Sequence, residues 1–184
     1  MTNNNAIVST KARDVAMIGV LIAVCSVSGM IRIPIPAVMP VTLQVLVILL
    51  APMLVGVKVS FAAITLYTIL GLIGLPVFAS GGGPAYVLVP SFGFLIGFML
   101  STIPNGLIAG KSTNFVRNLI AGATGFIVYE FFGWLGFWLN MNHVQGKAIS
   151  PEAALAMAVL PFVLVDLVKL VLAAGIASAL KRRL

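Results

Sequence analysis

Charge is scarce in this sequence of 184 residues: 8% are Asp, Glu, Lys or Arg, against about 25% in an ordinary soluble domain. Acidic residues number four, and there is one histidine and one cysteine. Each shortage excludes a class of chemistry. Cys25 has no partner for a disulfide and lies in an apolar stretch, where it reads as a small packing residue. His143, alone in the segment NMNHVQG, has no Cys, His or carboxylate at ligand spacing, so no metal site is expected. A Gly-Lys-Ser/Thr phosphate loop is missing, and Gly81-Gly82-Gly83 lacks the preceding strand and following lysine that such a loop needs. The chain therefore carries no ATP-hydrolysing motor of that kind. Membrane-embedded hydrolysis would need a Ser with His, or two Asp, inside apolar runs that contain one Asp. No catalytic residue is assigned and no cofactor is expected.

What the sequence has instead is apolar surface, with 61% hydrophobic residues and a mean hydropathy of +1.17. Runs long enough to cross a bilayer as helices, roughly 20 residues each, recur along the chain. They predict an all-α integral membrane protein, one membrane domain over residues 1–184, with six spans near 14–31, 40–56, 59–75, 90–110, 116–139 and 155–180. Turn chemistry marks the breaks: Pro34, Pro36 and Pro40, then Gly56-Val57-Lys58, then Pro76 and Gly81-Gly82-Gly83-Pro84. Pro52 interrupts the second span near its end. The polar first ten residues are expected to be unordered.

Basic residues set the orientation. Lys11, Arg13, Lys58, Lys111, Arg117, Lys181, Arg182 and Arg183 fall on one side of this map, Arg32 and Lys147 on the other, and Lys169 inside a span. Such a bias places both termini in the cytoplasm of a multi-pass cell-membrane protein. The net charge of +7 is thus a topology signal spread over separate loops, with no aromatic platform for nucleic acid. Some of these groups contact anionic lipid on this view.

Ionisable groups inside a membrane cost roughly 2.5–3.5 kcal/mol each on insertion scales, so each needs a partner or a task. Asp166 and Lys169 lie mid-span in LPFVLVDLVKLVLAA, three residues apart and on one helix face. They form either a neutral internal pair that eases insertion or a ligand cradle of acceptor beside donor. The topology favours the cradle. Asp166 falls towards the outer end of its span, Gln44 in the outer turns of the second, and Glu130 in the outer half of the fifth. The outer connection PVFASGGGPAYVLVP carries Gly82 and Tyr86, and is either an ordinary surface loop or a lid whose backbone approaches a ligand. In the first span, Ala12, Ala16, Gly19 and Ala23 make small-residue spacings that let a second helix approach, from this chain or from a partner.

Three segments together carry a resemblance: MPVTLQVLVILLAPMLVG, GLIGLPVFASGGGPAYVLVPSFGFLIGF and PFVLVDLVK. They resemble, in order and over roughly residues 12–182, the signature regions of the BioY family, biotin-specific substrate-binding (S) components of energy-coupling factor (ECF) transporters. The resemblance implies six helices, biotin bound from the outer face, and association with a transmembrane coupling protein and two ATPase subunits. It assigns ligand contact to Asp166 and Lys169, supports Gln44 and the loop 80–86, and favours the partner role for the small residues of the first helix. Tyr129 and Gly133 match recurrent positions that packing explains equally well. Relatives carry Thr-Gly-Gly-Tyr where this chain has Ser91-Phe92-Gly93-Phe94, and Glu130 has no counterpart in the family pattern, leaving a pairing with a basic group in the bundle as its other role.

Biotin suits these residues. Its ureido ring offers two N–H donors and a carbonyl, to which a carboxylate and an ammonium form charge-assisted bonds. Phe78, Tyr86, Phe92 and Trp138 are candidates to cover the rings. The ligand carboxylate is expected to meet backbone N–H groups of the Gly-rich loop or a polar side chain near the mouth. Two alternatives remain open: a stand-alone biotin carrier, and a membrane-embedded enzyme.

Overall fold

A computed structural model describes residues 2–33 and 39–183, with the side chains of residues 2–10 outside that description. The elements are α1 (Thr2–Met30), β1 (Arg32–Ile33), β2 (Val41–Thr42), α2 (Gln44–Leu72), α3 (Phe92–Ala109), α4 (Phe115–His143), α5 (Pro151–Ala158) and α6 (Leu160–Lys181). β1 and β2 form a short antiparallel pair. A 3-10 turn, Pro84–Leu88, precedes α3. Pro34 and Pro36, expected to mark the first break, lie outside the described residues.

Five of these helices, all but α5, are long and apolar enough to cross a membrane. Their outer faces carry side chains such as Leu107, Ile127 and Leu164, the last 77% exposed. Inside lie Thr102, Asn105 and Asn118, all fully buried. Apolar residues outside and hydrogen-bonded polar residues inside are what a bundle in lipid requires. The helix α1 starts at Thr2, so the polar first ten residues are not unordered as expected. With no Pro or Gly before Gly19, nothing stops the helix from propagating outward from its apolar portion.

The helix α2 is a hairpin. Gly56 sits at φ 79°, ψ 173°, a conformation open to glycine and closed to residues with a Cβ. In a straight helix Gln44 and Tyr67 would stand about 35 Å apart. Their side chains meet instead at 2.8 Å, Gln44 Nε2 donating to Tyr67 Oη. The arms 44–55 and 57–72 therefore run antiparallel. Pro52 stays within the first arm, and the break falls four residues later at Gly56. Asn105 Nδ2 donates to the Leu49 carbonyl at 2.8 Å, in the turn that Pro52 deprives of a backbone donor.

Small residues set the spacing of the bundle. The helices α3 and α4 are the most closely packed pair. A Cβ on Gly93 would come within 2.7 Å of Gly136 Cα, and one on Gly97 within 2.7 Å of the Tyr129 carbonyl. This close approach fixes the height and rotation of Tyr129 on α4.

The two ends of the bundle differ. At one, Lys181 Nζ donates to the carbonyls of Gly110 (3.0 Å) and Ser112 (3.2 Å) and to Asn118 Oδ1 (3.2 Å), and Arg117 Nε donates to the Ile108 carbonyl at 2.7 Å. The hairpin bend belongs to this end, with Val57 against Gly106. The loop 73–91 leaves the far end of α2. Beyond α4, Ser150 caps α5 by accepting from the Ala153 N–H at 3.2 Å. The Ser150 hydroxyl also holds the Glu152 carboxyl below the usual range. The span expected near 155–180 is two pieces, because the chain turns at Val159 (φ −117°, ψ −58°) before α6.

Candidate ligand-binding cavity

At the end of the bundle away from the basic cluster, β2, both arms of α2, the loop 73–91, α3, α4 and α6 enclose a cavity of about 170 Å³. One water needs only about 10–15 Å³, so this is room for an organic molecule. Its wall is aromatic: Tyr67, Phe78, Tyr86, Phe94, Phe98, Tyr129 and Phe162. The polar side chains reaching it divide by depth. Gln44, Glu130, Asp166 and Lys169 are buried, whereas Thr42 and Ser91 are partly exposed and Ser80 exposed.

Asp166 is the centre of the buried group. Its Oδ1 accepts from Lys169 Nζ at 2.6 Å and its Oδ2 from Tyr129 Oη at 2.8 Å. The i, i+3 spacing on α6 makes the first contact local. The second is tertiary and depends on the glycine-mediated seating of α4. Both partners of the ion pair are 5% exposed, so neither charge is relieved by water and each depends on the other. Across the cavity, Tyr67 Oη receives the Gln44 amide and donates to the Val77 carbonyl at 3.1 Å. This chain of bonds ties the hairpin to the start of the loop.

The loop is packed rather than loose. Phe78 covers Gly71 and meets Tyr86 with ring centroids 4.4 Å apart. The Gly83 N–H bonds the Gly71 carbonyl at 2.7 Å, and Gly81 exchanges backbone bonds with Phe78. At the other end, Asn140 Nδ2 donates to the Leu88 carbonyl at 3.0 Å.

Of the residues singled out in the sequence, the fold brings Asp166, Lys169, Gln44, Tyr86 and Glu130 to one cavity. Gly82 does not line it. A Cβ there would stand 2.2 Å from the Leu75 carbonyl, so that glycine allows the loop to close on the end of α2. Of the backbone N–H groups of the Gly-rich loop, expected as one possible donor set for the ligand carboxylate, that of Gly81 bonds the Phe78 carbonyl and that of Gly83 the Gly71 carbonyl on α2. Phe92 and Trp138 are not in the wall, and the Trp138 indole donates to the Ile149 carbonyl at 3.1 Å. Gly133 backs the Phe94 ring, a packing role. Among the described residues Glu130 has no basic partner, since Lys169 is taken by Asp166, and neither of its carboxyl oxygens has a hydrogen bond. Tyr67, Phe94, Phe98 and Phe162 were missed. The available signal was a phenol in the apolar stretch 59–75, which must find a polar partner.

The four small residues of α1, Ala12, Ala16, Gly19 and Ala23, all lie on the exposed side, and a Cβ on Gly19 would meet nothing within 4 Å. The opposite side of α1 buries Leu21 and Cys25.

A lipid-facing helical bundle with a polar-floored, aromatic-walled cavity at one end defines a multi-pass membrane protein that holds a small molecule. Comparison with known proteins narrows that class. The BioY family profile matches residues 1–184, and the chain belongs to the BioY family. It is 41% identical to the biotin transporter BioY of Thermotoga maritima, over 92% of this chain and 96% of that one. It is 37% identical to the probable biotin transporter BioY of Pyrococcus horikoshii, over 93% and 98% respectively. Among solved structures, it matches the S-component for biotin from an ECF-type ABC transporter with a TM-score of 0.83 and 28% identity, covering 99% of this chain and 95% of that one.

Proposed function

We propose that this chain is the substrate-capture component of an ECF-type transporter, taking biotin from the outer face and relying on ECF partner subunits for ATP-driven delivery. The observation that carries this is the Asp166–Lys169 pair, buried at the floor of an aromatic cavity, in a chain of the BioY family. Asp166 accepts a ureido N–H, Lys169 donates to the ureido carbonyl, and Phe78 and Tyr86 cover the rings. Gln44 orients the wall through Tyr67. With the Gly81 and Gly83 N–H groups engaged, the ligand carboxylate meets the hydroxyls of Thr42, Ser80 and Ser91 at the more exposed rim. Transport is the activity of the relatives, and no enzymatic step is assigned.

The chain makes six crossings in this proposal, the two arms of α2 counting as short spans of about 18 and 24 Å. Both termini are cytoplasmic, with the basic cluster on that side and the cavity opening outward. The outward side of α1, at Ala12, Ala16, Gly19 and Ala23, docks the transmembrane coupling protein, which joins two ATPase subunits. A bare small-residue face on a lipid-exposed helix supports this, because it lets a partner helix approach closely.

The protein purified in mild detergent and analysed by mass spectrometry carries biotin, and after ligand removal it rebinds biotin in titration. A different co-purifying molecule with no biotin binding would refute the proposal. Uptake in cells lacking the coupling and ATPase subunits separates capture from stand-alone transport, and is expected to fail.

A further inference from the structure

The buried polar groups of the cavity are unequally engaged. Asp166 already accepts one hydrogen bond on each oxygen, from Lys169 and from Tyr129. Gln44 has given one of its two amide N–H groups to Tyr67. Glu130 lines the same cavity and is 7% exposed, yet neither of its oxygens meets a donor among the described residues. Buried carboxyl oxygens without donors are rare in folded proteins, because the group forfeits its hydration and gains nothing in return. A donor supplied by a ligand removes that cost.

We infer that Glu130 is a specificity-determining contact, its carboxyl accepting a ligand N–H that Asp166 does not take. This rests on the biotin proposal above. A cyclic urea has two N–H groups, one on each side of its carbonyl. With Lys169 at the carbonyl and Asp166 beside Lys169, one N–H faces Asp166 and the other is left for a second acceptor. Glu130 follows Tyr129 on α4, so the helix that positions Asp166 through the Tyr129 hydroxyl also carries the second acceptor. The site then reads both nitrogens, and a ring with one of them blocked is rejected.

Calorimetric titration of the protein in nanodiscs with biotin and with its two mono-N-methyl ureido derivatives tests this. Glu130→Leu is expected to weaken biotin at least tenfold. It should leave the affinity for one of the two derivatives within twofold of wild type, since that derivative has no N–H to lose at Glu130. Glu130→Gln keeps an acceptor and a similar shape, and is expected to lose about threefold for biotin. It keeps the comparison usable if the leucine disturbs the bundle. Equal losses for biotin and both derivatives in either variant would overturn the inference, as would a loss for biotin under twofold with leucine. Wild-type protein that binds no biotin would instead remove the proposal on which the inference rests.

Discussion

Replacing Lys169 alone, and then together with Asp166, separates what the ion pair does for the fold from what it does for the ligand. The two groups are 2.6 Å apart and 5% exposed. Lys169→Met leaves a buried carboxylate with only the Tyr129 hydroxyl, and removing one partner of such a pair costs about 3–5 kcal/mol. Asp166→Leu combined with Lys169→Met removes both charges. Replacing a whole buried pair by apolar residues of similar size is close to neutral for folding. It leaves the Tyr129 hydroxyl without an acceptor, at about 1–3 kcal/mol, and Tyr129→Phe in the same background removes that residue of cost. The triple variant should therefore unfold near wild type, and the single variant well below it. Biotin binding should behave otherwise. One charge-assisted hydrogen bond of about 1.5–3 kcal/mol amounts to a loss of roughly ten- to a hundredfold in the single variant, and the loss of both to roughly a hundredfold or more in the triple variant. Thermal unfolding in nanodiscs and biotin titration on the same samples read both quantities. A triple variant that is stable and binds biotin within threefold of wild type would refute the ligand role, leaving a purely internal pair.

Other perturbations follow from the packing. Gly97→Ala places a Cβ against the Tyr129 carbonyl, 2.7 Å away; it is expected to cost about 1–3 kcal/mol of stability and, by shifting Tyr129, to weaken biotin as well, read by unfolding and titration together. Gly82→Ala meets the Leu75 carbonyl at 2.2 Å and loosens the loop 73–91, so stopped-flow release of a fluorescent biotin conjugate should quicken several-fold. Ala23→Arg on the exposed side of α1 should abolish co-purification with the coupling protein while biotin titration stays unchanged; equal loss of both would indicate a folding defect. Ser150→Ala removes the hydroxyl that holds the Glu152 carboxyl low, so that carboxyl should titrate at higher pH in a carbon-13 NMR titration. The sign follows from linkage: a depressed carboxylate stabilises α5 above its unfolded midpoint, and that support fades as pH falls through the folded one.

Much was legible in one dimension. Hydropathy places the chain in lipid because the cost of burying charge there depends on composition over some 20 residues, whatever the neighbours. Asp166 and Lys169 could be paired without a fold, because their spacing puts them on one helix face. The bend at Gly56 was legible, since turn chemistry is local and Gly56-Val57-Lys58 marks a break between two apolar runs. The loop was harder. Gly82 looked like a point of close approach to a ligand and is one of close approach to Leu75, because nothing in a run of glycines says which surface comes near. Phe92 and Trp138 were named for the cavity wall, and Phe94, Phe98 and Phe162 occupy it, since aromatic residues in a helix differ only in which side faces inward.

Composition alone says that this protein has little charge to spare, and that each ionisable group inside the membrane needs a partner or a task. Which partner each one meets is a matter of the fold. Gln44 meets Tyr67 because Gly56 folds α2 back on itself, and Tyr129 reaches Asp166 because glycines let α3 and α4 close. Glu130 alone of the buried cavity carboxyls stands without a donor among the described residues. Those outcomes depend on contacts between distant segments, where a few tenths of an ångström in helix spacing settle whether a hydrogen bond forms.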